Sequence, residues 1–131
     1  MSIALALRDE STLGDTPYEV VVEFPVEKIT VRELIRNRVF TEVHNYNETE
    51  PAYFRGLVAP SDAENTLNGF KLKKNRKIDW RVQYKAVLDA FEKQQYLILI
   101  DDRQAESLRE EIFITTLTKI SFLKLVPLVG G

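Results

Sequence analysis

Between Ile3 and Tyr46 the spacing of apolar residues changes once, from every second position to every third and fourth, which restricts the chain to a strand, strand, helix opening. Ile3, Leu5 and Leu7 alternate with smaller residues. Tyr18, Val20, Val22 and Phe24 alternate again after a turn-rich interval from Asp9 to Pro17, marked by Gly14-Asp15 and Pro17. The two runs predict an antiparallel hairpin with an enlarged loop. Thr30 followed by Glu33 makes a capping box, so a helix starts near Val31. Val31, Leu34, Ile35, Val39, Val43 and Tyr46 share one face of it, which should lie across the sheet, and Asn45 to Pro51 ends it.

From Pro51 to Ile78 the pattern is weak, and Gly56, Pro60, Ser61-Asp62 and Asn68-Gly69 punctuate an irregular excursion. The one dense basic run, Lys71 to Lys77, has two readings: a solvated loop, or a docking patch for an acidic partner in which Lys71, Lys73 and Lys74 take part. Nucleic acid fits it poorly, because no aromatic platform interleaves the charges beyond Phe70. Asp79 is a good N-cap for a second helix with an apolar stripe of Trp80, Tyr84, Val87, Leu88 and Phe91. Tyr96 to Ile100 reads as a buried central strand closed by a turn at Asp101-Asp102-Arg103, whose carboxylates are expected in solvent, not on a metal. Ser107 to Glu110 suggests a turn, and Ile112 to Ile114 a connecting piece packed on the core. Lys119 to Val126 is the last strand, which Pro127 ends, and residues 127–131 are expected to form a flexible tail.

The absence of cysteine excludes disulfides, thiol nucleophiles and thiolate metal sites, and the single histidine, His44, has no Gly-x-Ser-x-Gly serine to serve. No catalytic residue and no metal ligand is therefore assigned. At 131 residues, 44% hydrophobic and 29% charged, the chain is expected to form one domain around one core. Its net charge of −2 gives no general attraction to nucleic acid or anionic lipid. No segment reads as a membrane span or signal peptide, so a cytoplasmic location is expected. Leu128-Val129-Gly130-Gly131 closes the sequence with two residues that lack Cβ atoms and can enter a channel too narrow for others.

Tyr96 to Gln104, then Glu106-Ser107-Leu108, then Ile120 to Gly131 together resemble the C-terminal half of ubiquitin, and the strand, strand, helix order of residues 3–47 resembles its first half. The resemblance implies an α+β, ubiquitin-like β-grasp fold: a mixed sheet packed by one main helix, with residues of about 48–95 as an inserted loop and second helix. In this family, and in the related sulfur carriers of thiamine and molybdopterin synthesis, an activating enzyme uses ATP to adenylate the C-terminal glycine. Here that residue is Gly131, with Gly130 its slim neighbour and Pro127, Leu128 and Val129 in the recognised tail. The chain is then an acyl donor, not an enzyme, and binds no cofactor itself. Implied partners are the activating enzyme, a conjugating enzyme, a deconjugating protease and target proteins. Pro127 and Val129 stand where ubiquitin has tail arginines, and a proline shortly before Gly-Gly is more like the sulfur carriers, which are usually much shorter than 131 residues; a prokaryotic modifier with its own activating enzyme accommodates both facts. A sulfur carrier with a C-terminal thiocarboxylate is the second reading, and a β-grasp interaction module the third. Leu99, Leu123 and Leu125 align with ubiquitin's apolar recognition face, although a one-residue change of register would place them in the core, the reading favoured for Leu99.

Overall fold

A computed structural model describes residues 2–12, 17–66, 68–73 and 76–128. Gly14, Asp15, Lys74, Val129, Gly130 and Gly131, each named above, lie outside the described residues. The N-terminal alternation becomes β1 (Ile3–Ser11) and β2 (Tyr18–Phe24), paired antiparallel with Leu5 opposite Val22 and both side chains buried. A short β3 (Lys28–Thr30) leads into α1 (Val31–Thr49). The capping box is formed as expected: the Glu33 N–H donates to Thr30 Oγ1 at 3.1 Å, and the Thr30 N–H donates to Glu33 Oε1 at 3.2 Å. All six apolar positions predicted for the inner face of α1 are buried.

The excursion after α1 is less irregular than its sequence. β4 (Glu64–Thr66) and β5 (Gly69–Lys71) form a small hairpin, and Phe54 exchanges backbone hydrogen bonds with Phe70 beside it. Gly69 holds this turn at φ 128°, where a Cβ would stand 2.8 Å from the Phe54 carbonyl oxygen. Asn47 then fixes the approach to the next helix by bonding both the N–H and the carbonyl of Ile78, each at 2.9 Å. Asp79 caps α2 (Trp80–Glu92), accepting from the Arg81 N–H at 3.0 Å. Val87 and Phe91 of the predicted stripe are buried with Gln83 and Ala90, while Trp80, Tyr84 and Leu88 are only half-buried.

β6 (Tyr96–Ile100) turns through Asp101 and Asp102, both at positive φ, into β7 (Arg103–Gln104), the geometry of a two-residue hairpin. Both aspartates are exposed, and no group of metal-ligating residues occurs among the described residues. Residues 112–114, expected only to pack, contribute to β8 (Glu111–Phe113), which pairs with β3. β9 (Ile120–Lys124) completes a five-stranded sheet of order β2-β1-β9-β6-β7. The expected central place of β6 is corrected: β9 is central, parallel to β1 and antiparallel to β6, while β6 is flanked on its outer side by the two-residue β7. The protein is thus α+β with a mixed sheet. No helix among the described residues is long and apolar enough to cross a membrane.

Candidate functional site

The last strand leaves the sheet between the β1–β2 hairpin and the segment that follows α1. Leu125 donates its N–H to the Gln95 carbonyl at 3.0 Å, Pro127 has no N–H to continue the ladder, and the Leu128 carbonyl accepts from the Ala59 N–H at 3.1 Å. Leu128 is only 5% exposed. The expectation of a free tail from Pro127 is therefore corrected: the chain is held through Leu128 because the inserted segment offers both an apolar seat and a backbone donor. That donor is itself braced, since the buried Gln83 amide of α2 donates to the neighbouring Val58 carbonyl.

A cleft of about 660 Å³ opens beside this exit, between Asp9, Ser11 and Tyr18 on one side and Arg55, Gly56, Leu57 and Phe70 on the other, with Lys124 and Val126 to Leu128 along it. Asp9, one of its lining residues, belongs to a buried ionic cluster. Arg38 on α1 makes a two-pronged bond to Asp9 of β1, Nη1 to Oδ1 at 2.5 Å and Nη2 to Oδ2 at 2.7 Å, while its Nε donates to Glu42 Oε1 at 3.0 Å. The same guanidinium lies 4.6 Å from the centre of the Phe122 ring on β9. One helix and two strands are thereby joined at the place where the sheet opens.

Electrostatics within the cluster are unequal. Burial pushes the Glu42 carboxyl up to about 7, against the pull of the Arg38 charge and hydrogen bond and with help from the nearby Asp9. Burial opposes the charged form of Arg38, yet Glu42 and Asp9 outweigh it and raise its pKa further. Tyr18, over whose ring the Arg55 guanidinium stands at 4.6 Å, is raised to about 12 by burial first and by Glu42 second, so its hydroxyl is a hydrogen-bonding group, not a base, at neutral pH.

The remaining predicted residues fall in separate places. Leu99 and Leu123 are half-buried on the sheet face opposite the core, not in it, because Ile98 and Phe122 point inward at the intervening positions. Leu97, opposite Leu123, joins them. Leu125 is half-buried just past the strand. Lys71 and Lys73 are exposed and do not line the cleft. His44 is exposed on α1.

Asp9, Arg38 and Glu42 were not singled out in the sequence, although a signal for each was present. The alternation of Ile3, Leu5 and Leu7 continues to position 9, and positions 31, 34, 35, 38, 39, 42, 43 and 46 form one unbroken helical face. Only their polar character hid them. Comparison with protein-family models, curated proteins and solved structures finds no match to the chain.

Proposed function

We propose that the protein is a ubiquitin-like modifier of β-grasp fold, whose Gly131 carboxylate is adenylated by a dedicated activating enzyme and then transferred to an amine of a target protein. The observation that supports this reading most is the sheet order β2-β1-β9-β6-β7, with β1 and β9 parallel at its centre and α1 across one face. A mixed sheet of that order, entered by a hairpin and left by its central strand, is compatible with a β-grasp arrangement, and Gly130-Gly131 follows that strand by a few residues in the sequence. The half-buried Leu97, Leu99 and Leu123 add a small apolar patch on the sheet face away from both helices, suited to contact with an enzyme.

The chemistry asks little of the chain itself. A carboxylate is a poor electrophile, so its oxygen attacks the α-phosphorus of ATP and releases pyrophosphate. The target amine then attacks the acyl carbon and AMP departs as the amide forms; where a thiol of the enzymes attacks first, AMP departs as the thioester forms and the thiol departs as the amide forms. The acyl donor must present Gly131, either as a chain end or after cleavage behind it. Three residues beyond the held Leu128 reach at most about 10 Å. The activating enzyme must therefore approach the rim of the cleft closely, or Leu128 must leave its seat.

Intact and peptide mass spectrometry of an N-terminally tagged copy recovered from its native host tests the reading. The expected result is Gly131 in an isopeptide link to a lysine, lost when Gly131 is deleted. Sulfur in place of a terminal oxygen would assign the protein to the sulfur carriers. An unmodified carboxylate under all growth conditions would sink both and leave an interaction module.

A further inference from the structure

On the solvent side of the helical layer, α1 and the first turn of α2 build an aromatic cluster rimmed by arginines. Arg36, Phe40 and His44 follow at four-residue spacing and form one ridge of α1. The Phe40 ring stacks on the His44 imidazole at 5.7 Å and 7°, and meets Trp80 edge to face at 5.4 Å and 81°. Guanidinium carbons of Arg36 and Arg81 stand 5.3 and 5.5 Å from the centre of the Trp80 ring. Phe40 and Val82 are 43% and 59% exposed. Arg32, Arg36 and Arg81 are exposed too, and none of the three forms an ion pair among the described residues.

Three arginines without carboxylates are notable in a chain with a net charge of −2, where acidic side chains are in excess. A guanidinium laid on an aromatic ring has already lost much of its rotational freedom, while its N–H edges stay available. Planar and pre-positioned donors suit carboxylates, which accept in pairs. The neighbouring Phe40 and Val82 supply exposed apolar surface for an anchor.

We propose that this face binds an acidic segment of a partner protein, with carboxylates on Arg36 and Arg81 and an apolar side chain on Phe40 and Val82. Single-stranded nucleic acid is the less favoured occupant, because base stacking needs open ring faces. Here the indole already carries Arg36 and Arg81, and one Phe40 face carries His44. The inference does not depend on the fate of Gly131.

Trp80 is the only tryptophan, so its fluorescence reports on this surface alone. The full chain is titrated at low salt with a synthetic polyglutamate peptide carrying one central leucine, with the matching polyglutamine peptide, and with oligothymidylate; calorimetry gives the same constants independently of quenching. The glutamate peptide is expected to bind saturably, and more weakly as salt rises. The double variant Arg36→Gln, Arg81→Gln should weaken it about tenfold or more, with an unchanged melting temperature, and Phe40→Ala should remove the advantage conferred by the leucine. Equal binding of the glutamine peptide, or undiminished binding by the double variant, overturns the proposal. Tighter binding of oligothymidylate than of the glutamate peptide overturns it in favour of nucleic acid.

Discussion

Arg36 and Arg38 stand two residues apart on α1, about 200° around the helix from each other, and the same side chain meets opposite fates. Arg38 is fully buried, and its donors are taken up by Asp9 and Glu42. Arg36 is exposed, with its guanidinium carbon 5.3 Å from the centre of the Trp80 ring, and it has no ion-pair partner among the described residues. A charge in a core must be saturated where it lies, since the loss of hydration is large. A charge on an aromatic shelf is oriented without being saturated. One helix thus carries a bolt for the fold on its inner face and a reader of carboxylates on its outer face.

The largest expected break of this contrast comes from Arg38→Met. It leaves Asp9 and Glu42 buried at the sheet opening with no cation, so that they must take up protons or stay as uncompensated charge, and denaturant unfolding at neutral pH should show a loss of about 3–5 kcal/mol. Replacing Asp9, Arg38 and Glu42 together with Val, Met and Leu should recover most of that loss, because the orphaned charges disappear with the guanidinium. A single Arg38→Met variant within about 1 kcal/mol of the parent would mean that water reaches the cluster, and the contrast with Arg36 would fail.

The second test uses pH. The folded carboxyl of Glu42 is raised from 4.5 to about 7, so between those values the folded state keeps a proton that the unfolded state has released. Its contribution is fully present below the unfolded value and is lost as pH rises through about 7, the reverse of an ordinary paired carboxylate. Stability should fall from about pH 5 to pH 8 by on the order of 2 kcal/mol from this group. Glu42→Gln, which keeps an oxygen to accept from Arg38 Nε, should flatten that slope in urea titrations at stepped pH. A slope of the same size in the variant would place the titrating group elsewhere.

Features set by neighbours in sequence were legible. The β1–β2 hairpin, the Thr30–Glu33 capping box, the Asp79 cap and the strands at residues 96–100 and 120–124 all stand where spacing and caps put them. Features set by distant pairing were not. β8 is three residues long and exists because β3 lies beside it, and β4–β5 closes around Gly69, so neither leaves a periodic trace. The seat of Leu128 is made by Ala59, far away in sequence, which is why the tail read as free. Asp9, Arg38 and Glu42 sit in register with the apolar residues, but their charge argued for solvent until each was seen to satisfy the others. The stripe of α2 is divided: Val87 and Phe91 enter the core, whereas the Trp80 ring is shared between helix α1 and the surface.

The smallest effect is the most informative about Arg36. If its stacking on Trp80 serves recognition, Arg36→Gln should change folding stability by less than about 1 kcal/mol, the range of an exposed cation–π contact. The substitution keeps part of the aliphatic stem over the indole and removes the charge, so any loss reflects electrostatics and not packing. Denaturant midpoints of Arg36→Gln and Arg38→Gln, measured side by side, should differ severalfold in their displacement from the parent. Glutamine at position 38 cannot neutralise Asp9 and Glu42, whereas position 36 has no carboxylate to abandon among the described residues. Equal displacements would make Arg36 a structural residue like its neighbour, and the outer face of α1 would lose its claim to a ligand.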